Sequence, residues 1–142
     1  MRKIREIMTT DVTCCEPQEQ VHQAAIKMQQ YNVGSIPVCE NEQVVGMITD
    51  RDIALRCVAD EKPITTPVEH IMTSNVVTAS PDQSVDDVAR LMSEQRIRRL
   101  PIIENGKLAG IVAIGDLAVR QMHTDEAGQA LSDISEPSQP LQ

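Results

Sequence analysis

Gly46, Thr49 and Asp52 stand where an apolar, β-branched stretch of the chain gives way to a second apolar-periodic stretch. A Thr followed three positions later by an acidic residue is typical of a capping box, which stabilises a helix start by about 1 kcal/mol. The same residue types also suit a nucleotide. A helix N-terminus and a Thr hydroxyl can bind phosphate oxygens, and a carboxylate can accept hydrogen bonds from both hydroxyls of a ribose. Gly46 has no Cβ to obstruct a flat base.

The segment around these residues occurs twice in the chain. The stretch that begins at Ile7 aligns without a gap with the stretch that begins 64 residues later at Ile71, and 14 of 49 aligned pairs are identical. Such self-similarity indicates a duplicated structural unit. The sequence therefore divides into repeat 1 (1–59), a polar linker with two prolines (60–67), repeat 2 (68–122) and a tail (123–142), which we expect to form a short helix and then to be disordered.

Each repeat is predicted to have the element order β-α-β-β-α. Short apolar stretches at 12–15 and 76–79 predict the first strands, and apolar residues at helical spacing from Val21 and from Val85 predict the first helices. Ser84 lies three positions before Asp87, which is typical of a capped helix start.

The second half of each repeat is predicted to be a hairpin and a helix. Two strands flank Asn41-Glu42 in repeat 1 and Asn105-Gly106 in repeat 2, and helices follow over 50–59 and 115–122. A three-stranded sheet with both helices on one face must cover its other face. The prediction is therefore an α+β fold in which two βαββα repeats are related by a pseudo-twofold axis, with sheets packed together and helices outside.

This pattern resembles a tandem pair of cystathionine-β-synthase (CBS) domains, or Bateman module, of the stand-alone bacterial type. The resemblance is carried by Ile-Met-Thr at the start of each repeat, by Pro followed by Val or Ile in each hairpin, and by Gly-x-x-Thr-x-x-Asp, over about residues 4–122. It implies that an adenosine nucleotide (AMP, ADP or ATP) lies in the cleft between the repeats. S-adenosylmethionine and NAD are the alternative ligands.

The resemblance also implies two sites. Arg98 and Arg99 would face the Thr49 helix and bind phosphates, although cations at a solvated helix end would also complement its dipole. The second site keeps Asp116 but has Gly34 and Ser35 at the Arg positions and Ala113 at the Thr position, so we expect weaker binding there. The main site comprises Gly46, Met47, Thr49, Asp52, Asn75, Val76, Val77, Arg98 and Arg99. The second site comprises Asp11, Val12, Thr13, Gly34, Ser35, Ile111 and Asp116.

Composition argues against several other classes of protein. The formal charge of −8 disfavours nucleic acid and anionic membranes as partners. No apolar run approaches the roughly 20 residues of a membrane span, and the polar N-terminus does not resemble a signal peptide, so a cytoplasmic location is predicted. The four cysteines lack a Cys-x-x-Cys spacing, so we expect neither a metal site nor a redox role.

The predicted function is a non-catalytic regulatory module in which nucleotide binding modulates self-association or an effector protein. Apolar helix faces that a 142-residue chain cannot bury predict a homodimer, which in CBS pairs is a disk of four repeats. One alternative is a nucleotide-processing enzyme, against which stands the absence of a Walker-type loop or a Gly-x-Ser-x-Gly turn. The other is a structural dimerisation module with vestigial clefts.

Overall fold

The computed structural model describes residues 2–120, so the predicted helix end at Met122 and the tail lie outside the described residues. Two 3₁₀ turns, at Ile4–Glu6 and Val68–His70, precede the two repeated segments. The helices and strands follow in the order α1 (Val21–Tyr31), β1 (Ser35–Glu40), β2 (Gln43–Thr49), α2 (Asp50–Asp52), a π-helical segment (Ile53–Val58), α3 (Val85–Gln95), β3 (Arg99–Glu104), β4 (Lys107–Ala113) and α4 (Ile114–Arg120).

The chain forms two compact units, each with helices, one antiparallel hairpin and its own core. Unit A is Thr13–Val76, and the described part of unit B is residues 2–12 together with 77–120. This mixture of helix and strand confirms the predicted α+β class. Each unit contains the segment that opens the other repeat. Residues 2–12, from repeat 1, belong to unit B, and residues 68–76, from repeat 2, belong to unit A. The boundaries at 1–59 and 68–122 follow the sequence duplication and stay a prediction.

Both hairpins are confirmed and close through left-handed turn residues. Asn41 and Glu42 have φ of 54° and 68°, and Asn105 and Gly106 have φ of 54° and 77°. Two consecutive residues with positive φ form the type I′ turn, whose twist matches that of the flanking strands. Each hairpin also has a register irregularity at the equivalent place, after Val38 in β1 and after Ile102 in β3.

The first helix of each repeat is confirmed and buries the predicted face. Val21, Ala24 and Met28 of α1 are buried, and the buried residues of α3 are Val85, Val88, Ala89 and Met92. Ser84 caps α3, since its Oγ accepts a hydrogen bond from the Asp87 N–H at 3.1 Å. The core of unit A contains Cys15, Val21, Ala24, Met28, Ile36, Val38, Ile48, Cys57, Val68 and Ile71. The core of unit B contains Ile4, Ile7, Ala79, Val85, Val88, Ala89, Met92, Leu100, Ile102, Val112, Ile114 and Leu117.

The predicted first strands at 12–15 and 76–79 are reduced to single bridging residues. Cys15 pairs in parallel with Val38, and Ala79 pairs in parallel with Ile102. A proline follows each of them by two residues and has no N–H to extend the ladder. On the other side of each hairpin, a Thr forms an antiparallel bridge: Thr73 with Met47 and Thr9 with Ile111.

The second helix of repeat 1 is irregular. It begins as an α-helical turn at Asp50 and continues as a π-helical segment to Val58, one residue short of the predicted end. In repeat 2, α4 begins at Ile114 and is α-helical as far as it is described. The helix after β2 is therefore π-helical beyond its first turn, whereas its counterpart after β4 is α-helical over the residues described.

Candidate nucleotide-binding residues

Thr49 and Asp52 form a complete capping box in unit A. The Thr49 hydroxyl accepts from the Asp52 N–H at 2.9 Å, and the Thr49 N–H donates to Asp52 Oδ2 at 3.1 Å. The predicted helix cap is therefore confirmed. It does not exclude ligand binding, because a carboxylate has about four lone pairs and this bond uses one of them.

The remaining contacts of the Asp52 carboxylate are long. Thr73 Oγ1 lies 3.3 and 3.4 Å from the two carboxylate oxygens, and Arg56 Nε lies 3.9 Å from Oδ1. Hydroxyl–carboxylate hydrogen bonds are usually 2.5–2.7 Å, so both contacts are weak. The Asp52 side chain is 9% exposed. A ligand hydroxyl that reached this carboxylate at normal hydrogen-bond length would therefore make a stronger bond than the present neighbours do.

The contacts of Thr73 and Arg56 with Asp52 were not predicted from the sequence. The sequence signal for Thr73 is its place in the repeated Ile-Met-Thr segment, where Thr9 is its counterpart. Arg56 lies one helical turn after Asp52, and its guanidinium also donates to the Met72 carbonyl oxygen at 3.3 Å. Both residues connect the helix after β2 to residues 72–73, which lie near the start of repeat 2.

Close packing within unit A leaves no room for a side chain at Gly46. A Cβ at this position would lie 2.9 Å from the Thr73 carbonyl oxygen and closer still to Met72 Sδ. The neighbouring Met47 fixes that approach, since its N–H and C=O exchange two 2.9 Å hydrogen bonds with Thr73. Close backbone packing therefore explains Gly46 without a ligand, and its predicted contact with a base stays a prediction.

The other predicted main-site residues are divided between the units. Asn75 and Val76 end unit A, and Asn75 is exposed. Val77 belongs to unit B, together with Arg98 and Arg99 of the α3–β3 junction. Arg98 is exposed and Arg99 is half-buried.

Arg99 lies near a carboxylate of its own unit. It pairs with Ala113 across the hairpin, and its pKa is lowered by burial while the charge of Asp116 acts in the opposite direction. Its proximity to Asp116 was not predicted from the sequence. The pairing of strand ends brings the second-site carboxylate and a main-site cation together in unit B.

The second-site residues are divided in the same way. Asp11, Val12, Ile111 and Asp116 lie in unit B, whereas Thr13, Gly34 and Ser35 lie in unit A. Asp116 repeats half of the capping box, since its Oδ2 accepts from the Ala113 N–H at 3.1 Å. Ala113 has no hydroxyl to complete it.

Gly34 has a negative neighbour where a phosphate site would need a cation. A side chain added at Gly34 would come within 2.9 Å of the Asp50 carboxylate. Ser35, the next residue, is half-buried and pairs with Thr49 in the hairpin. The local charge at this junction therefore disfavours a phosphate, whereas the equivalent junction of unit B carries two arginines.

Residues 2–120 contain no group of three or more His, Cys, Asp or Glu side chains arranged to hold a metal ion. Among the same residues, no helix is long and apolar enough to cross a membrane. The prediction of a cytoplasmic location is not tested by this finding.

The two hairpin-and-helix units, each with a carboxylate that accepts from the last residue of its hairpin, define a tandem-repeat protein of a known class. The family model of the CBS domain matches the chain twice, over residues 4–58 and 68–123. The chain belongs to the CBS-domain family, which confirms the resemblance seen in the sequence.

Relatives with the same extent are found among curated proteins and solved structures. The CBS domain-containing protein YhcV of Bacillus subtilis is 46% identical over 135 residues, covering 95% of this chain and 96% of that protein. Hypoxic Response Protein I, solved with two coordinated zinc ions, is 29% identical with a TM-score of 0.77, covering 83% of this chain and 98% of that one. The CBS domain pair of protein MJ0100, solved with 5′-methylthioadenosine and S-adenosyl-L-methionine, is 28% identical with a TM-score of 0.74, covering 84% and 94%.

Proposed function

We propose that this chain is a regulatory module that binds an adenosine nucleotide (AMP, ADP or ATP) without consuming it. The observation that carries the proposal is the Asp52 carboxylate, which is held in place by the capping box but has only long contacts on its other lone pairs. A fixed, two-oxygen acceptor suits a ribose diol. The two ligands of the MJ0100 pair both contain adenosine, which supports an adenosine moiety in the ligand proposed here.

The proposal assigns different strengths to the two sites. In the main site, Arg98 and Arg99 are the groups proposed to bind phosphates, because guanidinium forks match phosphate oxygens. The second site lacks the Thr hydroxyl and has Asp50 beside Gly34, so an anionic ligand is disfavoured there. S-adenosylmethionine, which carries a positive sulfonium in place of phosphates, is the ligand that would bind if these arginines play no part.

Adding nucleotide is expected to stabilise the protein without releasing product. A ligand that binds only the folded state adds about 2.7 kcal/mol at 100 times its dissociation constant. Melting temperatures should be measured with AMP, ADP, ATP, adenosine, NAD and S-adenosylmethionine, and the same samples analysed by chromatography. Conversion of a nucleotide in proportion to protein would favour the enzyme alternative. The absence of a shift with every ligand would favour the structural module.

We further propose a homodimer formed by helical faces. Large apolar side chains are exposed on unit A: Leu55 (48%) and Val58 (66%) on the π-helical segment and Tyr31 (58%) on α1. Leu55 and Val58 together make the exposed surface of this segment partly apolar. Burying such a face against a second copy would remove apolar surface from water, and a nucleotide that changed this association would have a regulatory output.

Sedimentation is expected to show a mass of two chains at micromolar concentration. Val58→Asp should shift the protein to one chain, because it would bury an uncompensated charge in the interface. Ile64→Asp is the matched control, since Ile64 is likewise exposed, at 58%, but lies outside the helices. A wild-type mass of one chain, or equal effects of the two variants, would contradict the proposed interface.

A further inference from the structure

Two cysteines far apart in sequence are brought together in unit A. Cys14 Sγ and Cys39 Sγ lie 3.6 Å apart, and the Cys39 thiol donates to the Cys14 sulfur. The contact follows from the parallel bridge of Cys15 with Val38, in which the Cys15 N–H donates to the Pro37 carbonyl oxygen at 2.9 Å and the Cys39 N–H donates to the Cys15 carbonyl oxygen at 2.8 Å. The backbone therefore holds the two sulfur atoms as neighbours.

This pair differs from the other cysteines in its exposure. Cys15 and Cys57 are each 1% exposed and belong to the core, whereas Cys14 and Cys39 are half-exposed. Burial raises the pKa of Cys15 to about 11, which keeps that thiol protonated and unreactive. A small oxidant in solution can therefore reach Cys14 and Cys39 selectively.

The surroundings give the two thiols different roles. The hydrogen bond from Cys39, helped by the charge of Lys27, lowers the pKa of Cys14 to about 7, against opposing effects of burial and Glu19. The same hydrogen bond raises the pKa of Cys39. The Lys27 ammonium is fixed beside this segment, since it donates to the Cys14 carbonyl oxygen at 2.7 Å and to Glu19 at 2.9 and 3.0 Å. The thiol with the lowered pKa, Cys14, is thus better suited to attack an oxidant, and Cys39 lies 3.6 Å away, where it could react with the oxidised sulfur.

We propose that Cys14 and Cys39 form a reversible oxidation site, which hydrogen peroxide converts into an intrachain disulfide. The Cys14 thiolate attacks one peroxide oxygen, the O–O bond breaks, and the other oxygen leaves as hydroxide and takes up a proton to become water. The Cys39 sulfur then attacks the Cys14 sulfur, the S–O bond breaks and a second water leaves. Two thiols and one peroxide thus become one disulfide and two waters, with two electrons passing to the peroxide. The sulfur atoms move from 3.6 Å to roughly 2.0 Å apart.

The test is mass spectrometry of the full-length protein after treatment with hydrogen peroxide in a buffer containing EDTA. The intact mass is expected to fall by about 2 Da, with two thiols lost per chain, and dithiothreitol should restore both. A digest should join the tryptic peptide that contains Cys39 to the one that contains Cys14 and Cys15, which no Lys or Arg separates. A gain of about 16 or 32 Da without this loss would overturn the proposal.

Single cysteine substitutions identify which two sulfur atoms form the disulfide. Cys15→Ala should retain the loss of about 2 Da, whereas Cys14→Ser and Cys39→Ser should each abolish it. A loss of mass that survives in Cys39→Ser would place the disulfide between two of the other three cysteines and overturn the assignment. The wild-type digest decides the matter even if one variant does not fold, because fragmentation of the joined peptide identifies the bonded sulfur. This site does not depend on the proposed nucleotide.

Discussion

Replacing Gly46 with Ala is expected to lower the free energy of unfolding by about 2 kcal/mol. The new Cβ would lie 2.9 Å from the Thr73 carbonyl oxygen and would overlap Met72. Thr73 cannot retreat without breaking its two hydrogen bonds with Met47, each 2.9 Å long. The loss should be measured by urea unfolding.

Two other glycines provide a parallel test and a control for this substitution. Gly110→Ala should cost a similar amount, because its Cβ would lie 2.7 Å from the Thr9 carbonyl oxygen and 2.9 Å from Met8 Sδ. Gly115→Ala places a Cβ where nothing lies within 4 Å, so it should stabilise α4 by up to about 1 kcal/mol. Equal effects at Gly46 and Gly115 would show that Gly46 is not packed against residues 72–73.

Oxidation of the Cys14–Cys39 pair is expected to raise the free energy of unfolding by about 3 kcal/mol. The disulfide would close a loop of 25 residues and so remove conformational entropy from the unfolded chain. Urea unfolding of the oxidised and reduced protein should separate the two forms by their midpoints. The same treatment should leave the midpoint of Cys39→Ser unchanged. An oxidised form no more stable than the reduced one would mean that native strain cancels the entropic gain.

Local patterns were the parts of the fold that could be predicted from the sequence. The Thr49–Asp52 cap, the Ser84 cap and the hairpin turns depend on residues within four positions of one another, so their chemistry is visible in a short window. The hairpins occur in both repeats, so the duplication supported their assignment twice.

Pairings between distant segments could not be predicted. Alignment of the repeats shows that Thr9 and Thr73 are equivalent, but it does not show which hairpin each one joins, and both join the hairpin of the other repeat. The contact of Cys14 with Cys39 depends on a bridge at Cys15 and a register irregularity in β1, neither of which has a sequence signature.

The irregular helix after Asp52 also had no clear sequence signal. The apolar spacing of residues 50–59 predicts an ordinary helix, whereas residues 53–58 are π-helical. Cys57, which is buried within this segment, donates to the carbonyl oxygens of Lys62 and Pro63 at 3.5 and 3.7 Å. Such contacts with a following loop depend on the tertiary structure and not on helical periodicity.

The measurement that tests the nucleotide proposal most directly is titration calorimetry of AMP, ADP and ATP with the wild type, Asp52→Asn and Asp116→Asn. Asn keeps one oxygen to accept from the backbone N–H of the cap, so both variants should fold, but it cannot accept both ribose hydroxyls. Asp52→Asn is predicted to weaken the tighter affinity at least tenfold, about 1.4 kcal/mol, and Asp116→Asn to leave it nearly unchanged. Equal losses in the two variants would mean two comparable sites. Unchanged affinity in Asp52→Asn, or no binding by the wild type, would contradict the proposal.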